Sequence, residues 1–194
     1  TNGAISVGAI AGTAGLKTSD VTINAGTSTT SIGAVSTDIN DLTVSGTGVI
    51  TLTGDITTAD TAAGGNDGAT ADDGGQSYSG AVVIHGADLT LTTGGDGATF
   101  SSTINSEASA ARALTIANTD GAVSVTGAIG AGSNGTLGAL VIGTAEADGN
   151  TGNITLSNSI GSDSAAGAAS ISIGNSRTGT LALAGADYNS TGSQ

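Results

Sequence analysis

The chain has 194 residues, with 3 Lys or Arg against 16 Asp or Glu and a formal net charge of −13. Lys17, Arg112 and Arg177 are its only fixed cations, which excludes nucleic acid and anionic membrane surfaces as partners, since both demand many basic contacts. Cysteine is absent, which excludes a disulfide framework and thiolate chemistry.

Ile, Leu, Val and Phe supply 38 of the 194 residues, a content close to that of disordered chains. Their spacing argues for order, because low-complexity disorder has no reason to keep a period. Tyr78, Phe100 and Tyr188 are the only aromatics, so the expected core is filled by Ile, Val, Leu and Ala. No apolar run approaches the roughly 18 residues of a membrane span. The opening "TNGAISVGAI" lacks a basic n-region, so no signal peptide is expected within it; an export signal would lie upstream.

In chain order, short phrases place two aliphatics two residues apart: "VTI" at Val21, "LTV" at Leu42, "ITL" at Ile50, then a lone Ile56. The stretch 57–77, "TTADTAAGGNDGATADDGGQS", has no branched aliphatic and reads as a loop insertion. The phrases resume with "VVI" at Val82, "LTL" at Leu89, "LTI" at Leu114, "VSV" at Val123 and a lone Ile129, followed by "LVI" at Leu140. A shorter insertion is expected at 143–153, before "ITL" at Ile154, a lone Ile160 and "ISI" at Ile171. Alternation puts both aliphatics of each phrase on one face of a short strand.

The phrases recur in the range of about 20–50 residues that marks repeat architectures. Helical and leucine-rich repeats need helix formers and long side chains; propeller blades need longer strands and usually aromatics. The expected fold is therefore all-β, a parallel β-helix (solenoid) with loop insertions, spanning 1–194 as a single repeat segment. The first strands of the phrases, at Val21, Leu42, Leu89, Leu114, Leu140 and Ile171, are expected on one wall. The second strands at Ile50, Val123 and Ile154 are expected on the next wall, and Ile56, Ile129 and Ile160 on the third.

Few residues point to chemistry. Asp67, Asp72 and Asp73 in "GGNDGATADDGG" supply hard oxygen ligands on a glycine-rich loop, as Ca²⁺ requires. Their spacing matches neither the calcium-binding nonapeptide nor the EF-hand loop, so a solvated acidic loop is the competing reading. Calcium is the one cofactor that the sequence suggests. His85 follows Ile84 in "VVIHG"; with Val82 and Ile84 inward it faces solvent, and no second His or Cys exists to share a metal. Thr51, Thr53, Thr90 and Thr92 should face outward, as strand propensity allows and as ice-binding surfaces also do. No catalytic residues are assigned, and the chain is not expected to be an enzyme.

"LTVSGTGVITLTGDITT", "GGQSYSGAVVIHGADLTLTTGGDGATFSSTIN" and "ARALTIANTDGAVSVTGAIG" resemble the repeats of large filamentous-haemagglutinin-like bacterial adhesins, over roughly residues 20 to 185. The resemblance implies a right-handed coil, secretion and a place on the bacterial cell surface. The family's secretion domain has no counterpart in this sequence. Composition alone also resembles bacterial S-layer proteins.

Neither end reads as a capping helix or charged lid, so the segment is expected to continue into a longer rod or to stack on another copy. The expected function is a non-catalytic extracellular structural and adhesive protein, a β-helical rod or filament-forming subunit on a bacterial cell surface. Its expected partners are itself, or the remainder of a longer chain, and cell-surface glycans or host and neighbour cells. The alternative is an S-layer or sheath lattice protein with calcium-bridged acidic loops. A polysaccharide-acting β-helix enzyme comes third, because paired carboxylates in a groove with a basic group are not evident.

Overall fold

The structure is a computed structural model, and it describes residues 3–12, 20–36, 39–58, 74–118, 121–131, 135–143, 152–162, 167–174 and 179–192. Among the described residues every regular element is a strand. The first five-stranded sheet contains β1 (Ile5–Val7), β3 (Thr30–Ile32), β5 (Ile50–Leu52), β8 (Val82–Ile84) and β11 (Ile104–Ser106). A seven-stranded sheet contains β2 (Val21–Asn24), β4 (Leu42–Ser45), β7 (Gly75–Tyr78), β10 (Gly97–Phe100), β13 (Val123–Val125), β15 (Ile154–Leu156) and β17 (Leu181–Leu183). The second five-stranded sheet contains β6 (Ile56–Thr58), β9 (Leu89–Thr93), β12 (Leu114–Asn118), β14 (Leu137–Ile142) and β16 (Ala168–Ile173).

All pairing is parallel, and each strand lies beside the strand one circuit away. The chain visits the seven-stranded sheet, then the first five-stranded sheet, then the second, and returns to the seven-stranded sheet. Single bridges complete circuits that lack a full strand: Ile10, Val35 and Ile56 in line, and Ile104, Ile129, Ile160 and Tyr188 in line. Three parallel sheets visited in rotation are compatible with a parallel β-helix.

Alternation decides which side chains enter the interior. β4, β5 and β13 each bury their first and third residues. These inward residues form one continuous hydrophobic cluster that draws on all three sheets. Ile116, Val125 and Ile129 come from the three different sheets and all belong to it.

The expected assignment of phrases to walls needs correction. Leu89, Leu114, Leu140 and Ile171 do pair in register, as do Val21 and Leu42, but the two sets lie in different sheets. Likewise Ile50–Leu52 lies in the first five-stranded sheet, whereas Val123–Val125 and Ile154–Leu156 lie in the seven-stranded one. Ile56 falls in the second five-stranded sheet, while Ile129 and Ile160 line up with Ile104 of the first. The cause is that every sheet imposes the same inward–outward alternation, so a phrase does not carry the identity of its wall.

A second correction concerns aromatics. Tyr78 and Phe100 are fully buried register partners whose rings stack with centroids 5.1 Å apart and planes 17° apart. They continue an inward column that runs from Ile23 and Val44 to Val125, Leu156 and Leu183. Offset stacking of this kind adds to the stabilisation from burial alone.

Strand also occupies both flanks of the larger expected insertion, at Thr57–Thr58 and at 75–77, leaving 59–73 outside the described residues. Gln76 explains why the second flank has no aliphatic pattern. It is an inward residue in the column between Leu42 and Ala98, and it is 3% exposed. Its Nε2 donates to the Ile56 carbonyl at 3.3 Å, to Thr58 Oγ1 at 3.2 Å and to the Thr92 carbonyl at 3.0 Å. The Tyr78 hydroxyl donates to Gln76 Oε1 at 2.9 Å, and burial pushes the phenol far above its ordinary pKa, so the donor proton stays in place. Nearby, the Gly94 N–H reaches both the Thr58 carbonyl (3.1 Å) and the Gly74 carbonyl (2.7 Å). Residues 58 and 74, on either side of positions 59–73, are thereby tied to one amide.

Gly97 shows where the backbone demands glycine. Its φ is +72°, and an added Cβ would collide with the backbone of Ala122, just before the neighbouring β13.

Two substitutions test the interior. Phe100→Ala is expected to cost about 3–5 kcal/mol, while the outward neighbour Thr99→Ala stays within about 0.5 kcal/mol, both read from denaturant midpoints. Gln76→Leu is expected to lose about 1–3 kcal/mol despite its greater apolarity, because it strands the buried Tyr78 hydroxyl and removes the three Nε2 hydrogen bonds. Equal or higher thermal stability of the Gln76→Leu variant would contradict that account.

Candidate functional site

Acidic and amide side chains recur immediately before strands. Asp41 precedes β4, Asp55 precedes β6, Asp88 precedes β9 and Asn153 precedes β15. In each case Oδ1 accepts a backbone N–H from the adjacent circuit: Gly75 at 2.7 Å, Thr90 at 2.8 Å, Ala113 at 2.8 Å and Thr180 at 2.8 Å. Within the sheets, an outward residue donates its N–H back to an inward carbonyl of the preceding circuit, as Ser101 does to Tyr78 and Thr126 to Phe100. At the start of a strand that carbonyl is missing from the row, because the chain below is still turning the corner. The Asp or Asn side chain takes its place, much as a short polar side chain caps a helix or turn. The short motif Asp/Asn, aliphatic, Thr stands at all four sites, Asp41, Asp55, Asp88 and Asn153, and also at Asp20, where Oδ1 instead accepts the Asn40 side-chain amide at 3.1 Å. Sequence reading alone did not single them out.

A charged cluster occupies the corner between β8 and β9 and the longer corner between β11 and β12. Glu107 Oε1 accepts from Arg112 Nε at 2.6 Å and from the Gly86 N–H at 3.1 Å. Its Oε2 accepts from Ser109 Oγ at 3.2 Å and lies 3.3 Å from His85 Nε2. Ser106 Oγ donates to the Ala110 carbonyl at 2.6 Å and accepts the Arg112 N–H at 2.7 Å, which folds residues 107–112 back on the strand end. The Arg112 guanidinium, then the Gly86 N–H, hold the Glu107 carboxyl below its usual range, with Ser109 and His85 adding to the effect; partial desolvation opposes them. The carboxylate is therefore committed to three donors, Arg112, Gly86 and Ser109, with His85 Nε2 beside it, a structural tie rather than a free general base. His85 itself is 55% exposed at the side chain, as alternation requires with Val82 and Ile84 buried.

The outer face of the seven-stranded sheet carries an unbroken hydroxyl rank, Thr22, Thr43, Ser77, Thr99, Ser124 and Thr155, closed by Ala182. The expected outward threonines do face out, but their rows are broken: Thr51 lies beside Val83, and Thr92 beside Ala117. Ser77 escapes sequence reading because its inward neighbours are Gln76 and Tyr78 rather than an aliphatic pair. Across its middle lies an open depression of about 210 Å³, lined by Asp41, Thr43, Gly75, Ser77, Asp96 and Thr99. A Cβ on Gly75 would sit 3.0 Å from both Asp41 Oδ1 and Asp96 Cβ, so glycine keeps this depression open.

The sequence-predicted calcium ligands Asp67, Asp72 and Asp73 lie outside the described residues. Among the described residues, no group of three or more His, Asp or Glu side chains is arranged to hold a metal ion. No helix among them is long and apolar enough to cross a membrane. No protein-family model, curated protein or solved structure matches this chain.

The strand-start ties make a direct prediction. Asp88→Ala, which removes the acceptor for Ala113, is expected to cost about 1 kcal/mol, and Asp88→Asn substantially less, because an amide oxygen accepts the same bond. Paired denaturant titrations measure both; an equal loss for the two variants would assign the effect to charge rather than to the bond.

Proposed function

We propose that this chain is a non-catalytic structural and adhesive segment of a bacterial cell-surface protein, acting as a right-handed parallel β-helical rod. The observation that carries this reading is the continuous register from β2 to β17, with one hydrophobic interior shared by successive circuits. Each circuit buries its inward face only against its neighbours, so length is gained by adding circuits and not by enlarging the core. A parallel return to the same sheet, a connection that is right-handed in about 98% of cases, supports the right-handed sense.

Extension proceeds through further circuits, supplied by the remainder of a longer chain or by another copy. Supporting this, Leu181 and Leu183 continue the inward columns and are 44% and 47% exposed, so a further strand would cover them. The likeness of the repeats to filamentous-haemagglutinin-like adhesins supports the extracellular setting and an outer surface that meets glycans or neighbouring cells. An acidic surface with a net charge of −13 favours solubility at the length such a rod requires.

Two copies fused in tandem provide the test by small-angle X-ray scattering. The expected result is a near doubling of maximum dimension over the single chain at an unchanged cross-section. Leu181→Lys with Leu183→Lys in the upstream copy should break the rod into two jointed bodies. A roughly spherical fused particle would overturn the proposal, as would an unmodified fusion that already behaves as two independent beads.

A further inference from the structure

Residues 107–113 form a longer corner than residues 85–88 of the circuit below, and the Glu107 carboxylate ties the two together. The tie crosses circuits through His85 and the Gly86 N–H, and it closes the longer corner on itself through Ser109 and Arg112. The Glu107 side chain is only 10% exposed, whereas His85 is 55% and Arg112 32% exposed. Asp88 is the other titratable group of the shorter corner, and its carboxylate is engaged with the Ala113 N–H. The carboxylate thus faces one permanent cation and one side chain that is charged only when protonated.

We propose that this corner is a latch with a two-sided response to pH, tightened when His85 takes up a proton and released when Glu107 does. A protonated imidazole turns a neutral contact at 3.3 Å into a charge-assisted one, a gain kept small by solvent exposure and salt. Protonating Glu107 removes the acceptor charge for Arg112 and His85 together, a larger loss. Because Glu107 is held below its usual carboxyl range, its contribution is fully present above about pH 4.3 and is lost as the pH falls through its lowered value. The latch therefore holds most firmly where His85 is protonated while Glu107 is still ionised.

The Gly86 amide, donated to Glu107, reports the latch directly in amide hydrogen exchange followed by NMR on the intact chain. Its protection factor is expected to rise about two- to fivefold from about pH 8 to pH 5 and to fall about tenfold toward pH 2.5. His85→Gln should flatten the upper limb alone, and Glu107→Gln should flatten both. The Ser101 amide, bound to the Tyr78 carbonyl within the sheet, should keep constant protection over the same range. A flat Gly86 profile, a rise that persists in His85→Gln, or parallel changes at Ser101 would each overturn the latch.

Discussion

The constraint on which the rest depends is the parallel register between neighbouring circuits. In a parallel sheet each inward side chain has an inward side chain above and below it, so like stacks on like along the whole row. Leu89, Leu114, Leu140 and Ile171 show this directly, as do Val21 and Leu42. Small aliphatics satisfy that requirement in every row, which is why so low an aliphatic content still builds a continuous core. Where one row accepts a ring, at Tyr78, the adjacent circuit supplies Phe100 to stack on it.

Acidity has a structural explanation in the described residues. Asp41, Asp55 and Asp88 each complete a hydrogen-bond row at a corner where the backbone has run out of carbonyls, and Asn153 does the same without charge. Glu107 binds the two corners described above. Among the described residues these four carboxylates, Asp41, Asp55, Asp88 and Glu107, hold one circuit to the next.

The sequence made some of this legible and concealed the rest for physical reasons. Inward and outward faces were readable because alternation is a property of a single strand, and the outward placement of His85 follows from Val82 and Ile84 alone. Sheet identity was not readable, because three walls place the same demand on a three-residue phrase; the correct grouping emerges only once pairing partners are known. Gln76 was hidden inside an expected loop because its interior role depends on Ile56, Thr58, Thr92 and Tyr78, which lie on several strands. The Asp/Asn, aliphatic, Thr motif stands in plain view, yet its meaning lies in an N–H supplied from the neighbouring circuit. Arg112 and Glu107 meet only because Ser106 folds the corner back between them.

The pinning of the chain on either side of positions 59–73 has a consequence for how the molecule bears load. Thr58 and Gly74 share the single Gly94 amide, and Gln76 seals the interior directly beneath. Among the described residues the seam is closed by the backbone of Thr58, Gly74 and Gly94 at the strand ends and by the Gln76 side chain. The stacked rows on either side of positions 59–73 are thus joined to one another by their own hydrogen bonds, so strain arriving at either flank is passed straight into the neighbouring circuit.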